Sequence, residues 1–267
     1  MKQETESLGK RQPDSYQERI KNTEENIARY KQQLIKRPNT YLLKLAESYY
    51  DLACLYEEKS KKGKKVEKML LEALEYYEKY RGRKKNIHFN KIGVLEKLLE
   101  FYNRTDRLSC SEQMLIRMLE IYKRLAEINW LVFSEEVSII EWRLGNLYID
   151  MKRLDQAEQM YSAALTTRAE FDIEDIYRYY PGTAQFQRSL GKLYELYLHD
   201  YAKAENCYLK SVEILQVLCE DKYERCNHIR HLIYSCNFLV DFYKNQGEPT
   251  KAEHYKTLVE TLKTELE

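Results

Sequence analysis

Sheets need turns, and turns draw on glycine and proline. This chain has 8 of the first and 4 of the second in 267 residues. So few breakers exclude a protein built from many short strands and leave long helices as the expected form. Long apolar runs are also missing: no stretch approaches the ~20 residues a membrane helix requires. Residues 1–14 hold no hydrophobic signal core, so they read as a disordered tail and the expected compartment is the cytoplasm. The charges nearly cancel, at a formal +1, so no global field draws the chain to nucleic acid or to an anionic membrane. The six cysteines include no CxxC pair and are expected to be small buried hydrophobes rather than disulfides. Walker, HExxH, GxSxG and dinucleotide signatures are all absent, which leaves no catalytic constellation and no cofactor site to name.

What the chain does have is tyrosine, 24 in all. An apolar ring with a polar tip suits both the narrow space between packed helices and a half-wet binding face. One of them, Tyr148, marks a repeat. Its counterparts are Tyr56, Tyr102, Tyr194 and Tyr243, spaced 46 residues apart until a last step of 49. A second marker, small Ala157, has counterparts at Val66, Ser111, Ala204 and Ala252, each followed by glutamate: Glu67, Glu112, Glu158, Glu205 and Glu253. Three residues before the glutamate stand Ser109, Asp155 and Thr250, the spacing of a capping box; Lys64 and Ala202 break it in the other two copies.

The best-formed copy, Leu144 to Ala164, puts Leu144, Gly145 and Tyr148 on one face of a first helix. Ala157, Tyr161 and Ala164 lie on one face of a second. This resembles a tetratricopeptide repeat, a helix–turn–helix unit. The period exceeds the usual 34 residues, as in the arrays of kinesin light chains and of bacterial scaffold proteins. Three copies replace the glycine with Ala53, Leu99 and Val240, and the last has Lys256 where Tyr161 stands. The resemblance implies an all-α, right-handed solenoid of about five hairpins, near 41–80, 88–127, 134–171, 183–219 and 224–266. An N-terminal helix over 15–36 precedes them, with Tyr16, Ile20, Ile27, Tyr30 and Leu34 on one face, so that 15–267 forms a single domain.

The resemblance further implies a protein-interaction module, not an enzyme, holding a peptide or protein segment in a concave groove lined by the first helix of each hairpin. The implied groove residues are Tyr50 and Glu57, then Glu100, Asn103 and Arg104, then Trp142, Asn146 and Ile149, then Arg188 and Lys192, and last Asn237 and Asp241. Trp142 would be the apolar anchor, its loss costing little stability but roughly 2 kcal/mol or more of binding. Asn146 matches the asparagine of the family's carboxylate clamp, and Arg188 with Lys192 would supply its charge, although Trp142 stands where a lysine is expected. A peptide-responsive sensor of the same fold is one rival. An RNA-binding helical repeat is another, opposed by the acidic groove positions of the first two hairpins. Two further clusters carry weaker signals. Cys226, His228 and His231 lack a fourth metal ligand of suitable spacing. The basic runs Lys59–Lys65 and Arg81–Lys85 lack the aromatic interleaving of a nucleic-acid site and read as solubilising turns.

Overall fold

The computed structural model describes residues 15–59, 63–82, 86–169, 176–220 and 225–266. The expected tail at 1–14 and the cores of both basic runs, 60–62 and 83–85, lie outside these. The described residues form eleven α-helices and no strand, packed in sequential hairpins. The chain divides into two compact units, Met1–Met114 and Leu115–Glu267.

In the first unit, α1 (Tyr16–Gln33) is capped by Ser15, whose Oγ accepts from the Glu18 amide at 3.3 Å. α2 (Pro38–Lys59) opens on proline, which fits a first turn because its missing N–H would be unpaired there anyway. α3 (Lys64–Lys79) and α4 (Ile87–Arg104) follow, then the start of α5 (Leu108–Ile128). Leu45, Ala46, Leu70, Ala73 and Leu98 are among the buried side chains.

The second unit continues α5 and adds α6 (Trp130–Asp150), α7 (Leu154–Ala169) and α8 (Ile176–Leu193). α9 (Tyr201–Leu218), α10 (Arg225–Asn245) and α11 (Pro249–Thr264) complete it. α8 runs straight into a π-helical turn, Tyr194–Leu198. That turn explains a one-residue discrepancy between the two repeat markers. Three hairpin turns close by an amide bonding the marker tyrosine's carbonyl five residues back: Arg107 to Tyr102, Arg153 to Tyr148 and Glu248 to Tyr243, at 2.8–2.9 Å. In the fourth the donor is Asp200, six residues after Tyr194, at 3.0 Å. The wider turn accommodates one extra residue, so Ala204 falls one place later than the tyrosine period alone would put it.

The repeated glutamate does not do what its spacing suggests. α5, α7 and α11 start at Leu108, Leu154 and Pro249, so Ser109, Asp155 and Thr250 sit inside their helices rather than at the caps. Three of the five glutamates accept hydrogen bonds from the marker tyrosine of the following hairpin. Tyr102 bonds Glu67 at 3.2 Å, Tyr194 bonds Glu158 at 2.6 Å and Tyr243 bonds Glu205 at 2.7 Å. Tyr56 makes the same bond to Glu24 of α1 at 2.8 Å, so α1 stands to the first hairpin as each second helix stands to the next. A cation covers each ring: Lys65 over Tyr56, Arg107 over Tyr102, Lys203 over Tyr194 and Lys251 over Tyr243.

Burial, reinforced by the neighbouring carboxylate, pushes the Tyr56 and Tyr102 phenols up to about 12. A phenol that holds its proton more tightly when folded stabilises the fold fully below its ordinary pKa of about 10. That stability is lost as pH climbs from 10 towards 12. The urea midpoint is therefore expected to fall over this interval, and Tyr56→Phe with Tyr102→Phe should flatten the fall. An unchanged slope in the double variant would show that these tyrosine–glutamate bonds are not linked to folding.

Candidate functional site

The second unit contains a cavity of 470 Å³ lined by the first helices of three successive hairpins. α6 contributes Trp142, Asn146 and Ile149, one helix face at i, i+4 and i+7. α8 contributes Gln185, Arg188, Ser189 and Lys192 on the same kind of stripe, and α10 adds Tyr234 and Phe238. Tyr161 of α7 and Leu196 and Tyr197 of the π turn close the ring. Leu196 is 58% exposed and Tyr234 53%, so apolar surface stands open to water at this site.

Several lining groups are fixed by bonds that leave little freedom. The Trp142 ring stacks on Phe186 with centroids 5.7 Å apart, and its indole N–H donates to Ser189 Oγ at 2.9 Å. Tyr161 donates its hydroxyl to Asn146 Oδ1 at 2.7 Å. Its ring lies against Gly145, where a Cβ would fall 2.6 Å from Tyr161 Cδ1 and Cε1. Arg188 is only 7% exposed. Its Nη1 donates to Ser235 Oγ at 2.7 Å and Ser211 Oγ at 3.3 Å, and its guanidinium lies over the Tyr234 ring. Burial lowers the Arg188 pKa, but a guanidinium starts so high that it stays charged at neutral pH. Lys192, one turn further along α8, is exposed and lies 4.6 Å from the Phe238 ring centroid. Neither cation has an ion-pair partner among the described residues, and no carboxylate is in the cavity lining.

Five expected groove residues thus meet around one cavity: Trp142, Asn146, Ile149, Arg188 and Lys192. Two of their expected roles need correction. Arg188 is a buried side chain held by two serines, not an open groove residue. Trp142 is built into the α6–α8 contact as well as lining the cavity, so its loss should not be cheap for folding. Asn237 and Asp241 are exposed on α10 but outside the lining, which takes Tyr234 and Phe238 instead. The error is one of register. The marker tyrosines of the last two hairpins are 49 residues apart, whereas Arg188 and Tyr234 keep the 46-residue spacing, a shift of nearly one helical turn.

The first-unit candidates lie in a different setting. Glu57 binds Lys97 at 2.8 Å and Arg104 at 2.6 Å. Burial opposes its ionisation, but the two cations outweigh that and hold its carboxyl below the usual range. Glu57 is therefore engaged directly with Arg104 and also with Lys97, a residue that sequence reasoning had not singled out. Asn103 accepts from Ser111 at 2.7 Å, Glu100 is exposed, and Tyr50 is half-buried.

The histidine-rich start of α10 does not converge. His228 is 4% exposed with both ring nitrogens unpartnered, whereas Cys226 and His231 are exposed. Among the described residues no three His, Cys, Asp or Glu side chains are placed to hold a metal ion, and no helix is long and apolar enough to cross a membrane. Leu196, Tyr197, Tyr234 and Phe238 were not anticipated. Their signal was present in part, since Tyr234 and Phe238 fall 46 residues after Arg188 and Lys192.

Residues 142–171 match the tetratricopeptide repeat, the segment that supplies Trp142, the Gly145–Tyr161 contact and α7. The chain thus contains a tetratricopeptide repeat, set among sequential helical hairpins. BtubC (BKLC) from P. vanneervenii has a similar fold, with a TM-score of 0.58 at 20% identity, over 95% of this chain and 93% of that one. The apo form of RapI aligns with a TM-score of 0.50 at 12% identity, over 94% of this chain and 75% of that one. Repeats of a Podosopora anserina protein assigned to the kinesin light chains align at 0.48 and 14% identity, over 82% of this chain and 94% of that one. At these identities the likeness concerns the fold. The curated proteins contain no match to the sequence.

Proposed function

We propose that this protein is a non-enzymatic interaction module that holds a peptide or protein segment along the face where α6, α8 and α10 adjoin. Tetratricopeptide folds generally serve as protein-interaction scaffolds, and the finer reading rests on one observation. The cavity on that face joins open apolar side chains, Leu196, Tyr197 and Tyr234, to two cations without counter-ions. An apolar surface of this kind gains from being covered, and aromatic residues at its centre are the usual anchors of a binding hot spot. Asn146 and Ser189 are already committed to Tyr161 and Trp142, so they shape the walls rather than reach for a ligand.

Selection from a random peptide library against the full chain tests this reading. The selected peptides are expected to lose roughly tenfold or more in affinity when Tyr234 is changed to Ala. They should lose a similar amount when Lys192 is changed to Glu, both variants keeping their melting temperature. Peptides that bind both variants as well as the parent would place the interaction surface elsewhere.

A further inference from the structure

The cations of the cavity carry information about the ligand. Taking a guanidinium out of water is costly unless an anion compensates, and two serine hydroxyls with one aromatic face are a weak substitute. Ser211 and Ser235 are 2.9 Å apart and could bond each other without Arg188. An apolar side chain of similar length would therefore fill the site at less cost. Arg188 Nη1 serves the serines, while Nε and Nη2 have no hydrogen-bond partner among the described residues. Lys192 stands four residues along the same helix, the spacing at which like charges repel. Two cations kept close, unpaired and facing one cavity fit an anion carrying two charges better than one carrying a single charge.

The walls add a second constraint. Trp142, Tyr197, Tyr234 and Phe238 line the approach with aromatic surface, and Arg188 is buried whereas Lys192 is exposed. A ligand meeting both must carry its charge on a stem that packs against rings. We propose that the cavity receives a phosphorylated aromatic side chain, a phosphotyrosyl group, of the peptide partner. A phosphate monoester carries about −1.5 to −2 charges at neutral pH and three acceptor oxygens. It can thus accept from the Arg188 fork and from Lys192 together, while its ring lies among the aromatic walls. This rests on the reading of the α6–α8–α10 face as a peptide site and narrows it to one ligand chemistry.

The test uses the full chain with Trp130→Phe, so that fluorescence reports Trp142 alone. The probes are phenyl phosphate, inorganic phosphate and phenylacetate. Phenyl phosphate is expected to give a saturable change, with an affinity at least roughly tenfold above both of the others. Inorganic phosphate binding equally well would reduce the site to a simple anion hole. Phenylacetate binding equally well would make it a carboxylate site; either result overturns the proposal, as does the absence of a saturable response. Arg188→Met is expected to remove the preference for phenyl phosphate while the melting temperature holds, because Ser211 and Ser235 retain each other. If that variant fails to fold, Lys192→Met, at an exposed position, should still weaken phenyl phosphate by roughly threefold or more; undiminished affinity there overturns the proposal. A selected peptide that protects the cavity but is not displaced by phenyl phosphate also refutes it, and leaves the peptide-site reading standing.

Discussion

Gly145→Ala is expected to destabilise the second unit by roughly 1–3 kcal/mol in urea unfolding, a large effect for one methyl group. The new Cβ would sit 2.6 Å from two ring carbons of Tyr161, and Tyr161 is 1% exposed with its hydroxyl bonded to Asn146. A ring held at both ends cannot step aside as the tip of a flexible chain would. The remedy is written in the sequence itself. The two hairpins with a glycine at this place, Gly145 and Gly191, carry Tyr161 and Tyr208 opposite it. In the first two hairpins the glycine position holds Ala53 and Leu99, and the tyrosine position holds Leu70 and Leu115. In these two hairpins the glycine and the tyrosine are thus replaced together, as they are by Val240 and Lys256 in the last. Tyr161→Leu on its own leaves a void and should cost about 1–3 kcal/mol. Combined with Gly145→Ala it should cost less than the two separate losses added together, a coupling that a double-mutant cycle measures directly. Simple additivity would show that the two positions do not share one contact.

Trp142→Ala is the second large effect, expected at roughly 2–4 kcal/mol of folding stability. The ring stacks on Phe186 and its N–H holds Ser189, so its removal opens the α6–α8 contact and leaves a hydroxyl without its donor. Trp142→Phe should recover part of the loss, because a six-membered ring can still stack but cannot donate. If Trp142→Ala melts with the parent, the tryptophan belongs to the ligand surface alone.

The helical class and the hairpin order were legible because the apolar residues keep a helical period and two markers recur together. Two things were hidden. The glutamate near the start of the second helix fits a capping pattern by spacing in three copies, yet those helices begin earlier, and Glu67, Glu158 and Glu205 each serve a tyrosine from the next hairpin. A partner some 35 residues away leaves no local signature. The cavity was half legible. Trp142, Asn146, Arg188 and Lys192 follow from one helix face repeated at 46 residues, but counting from the marker tyrosine placed the α10 contribution nearly a turn late. The burial of Arg188 was invisible as well, since its serine partners are small residues on two other helices.

The claim that a partner segment lies over this cavity is tested most directly at Lys192. Its amine is exposed, unpaired and within the lining, so it should be acylated readily by an amine-specific reagent in the free protein. Lys263 on α11, also exposed, serves as the internal standard. With a library-selected peptide at saturation, mass spectrometry is expected to show Lys192 protected and Lys263 unchanged. Equal acylation of Lys192 with and without the bound peptide would contradict the account.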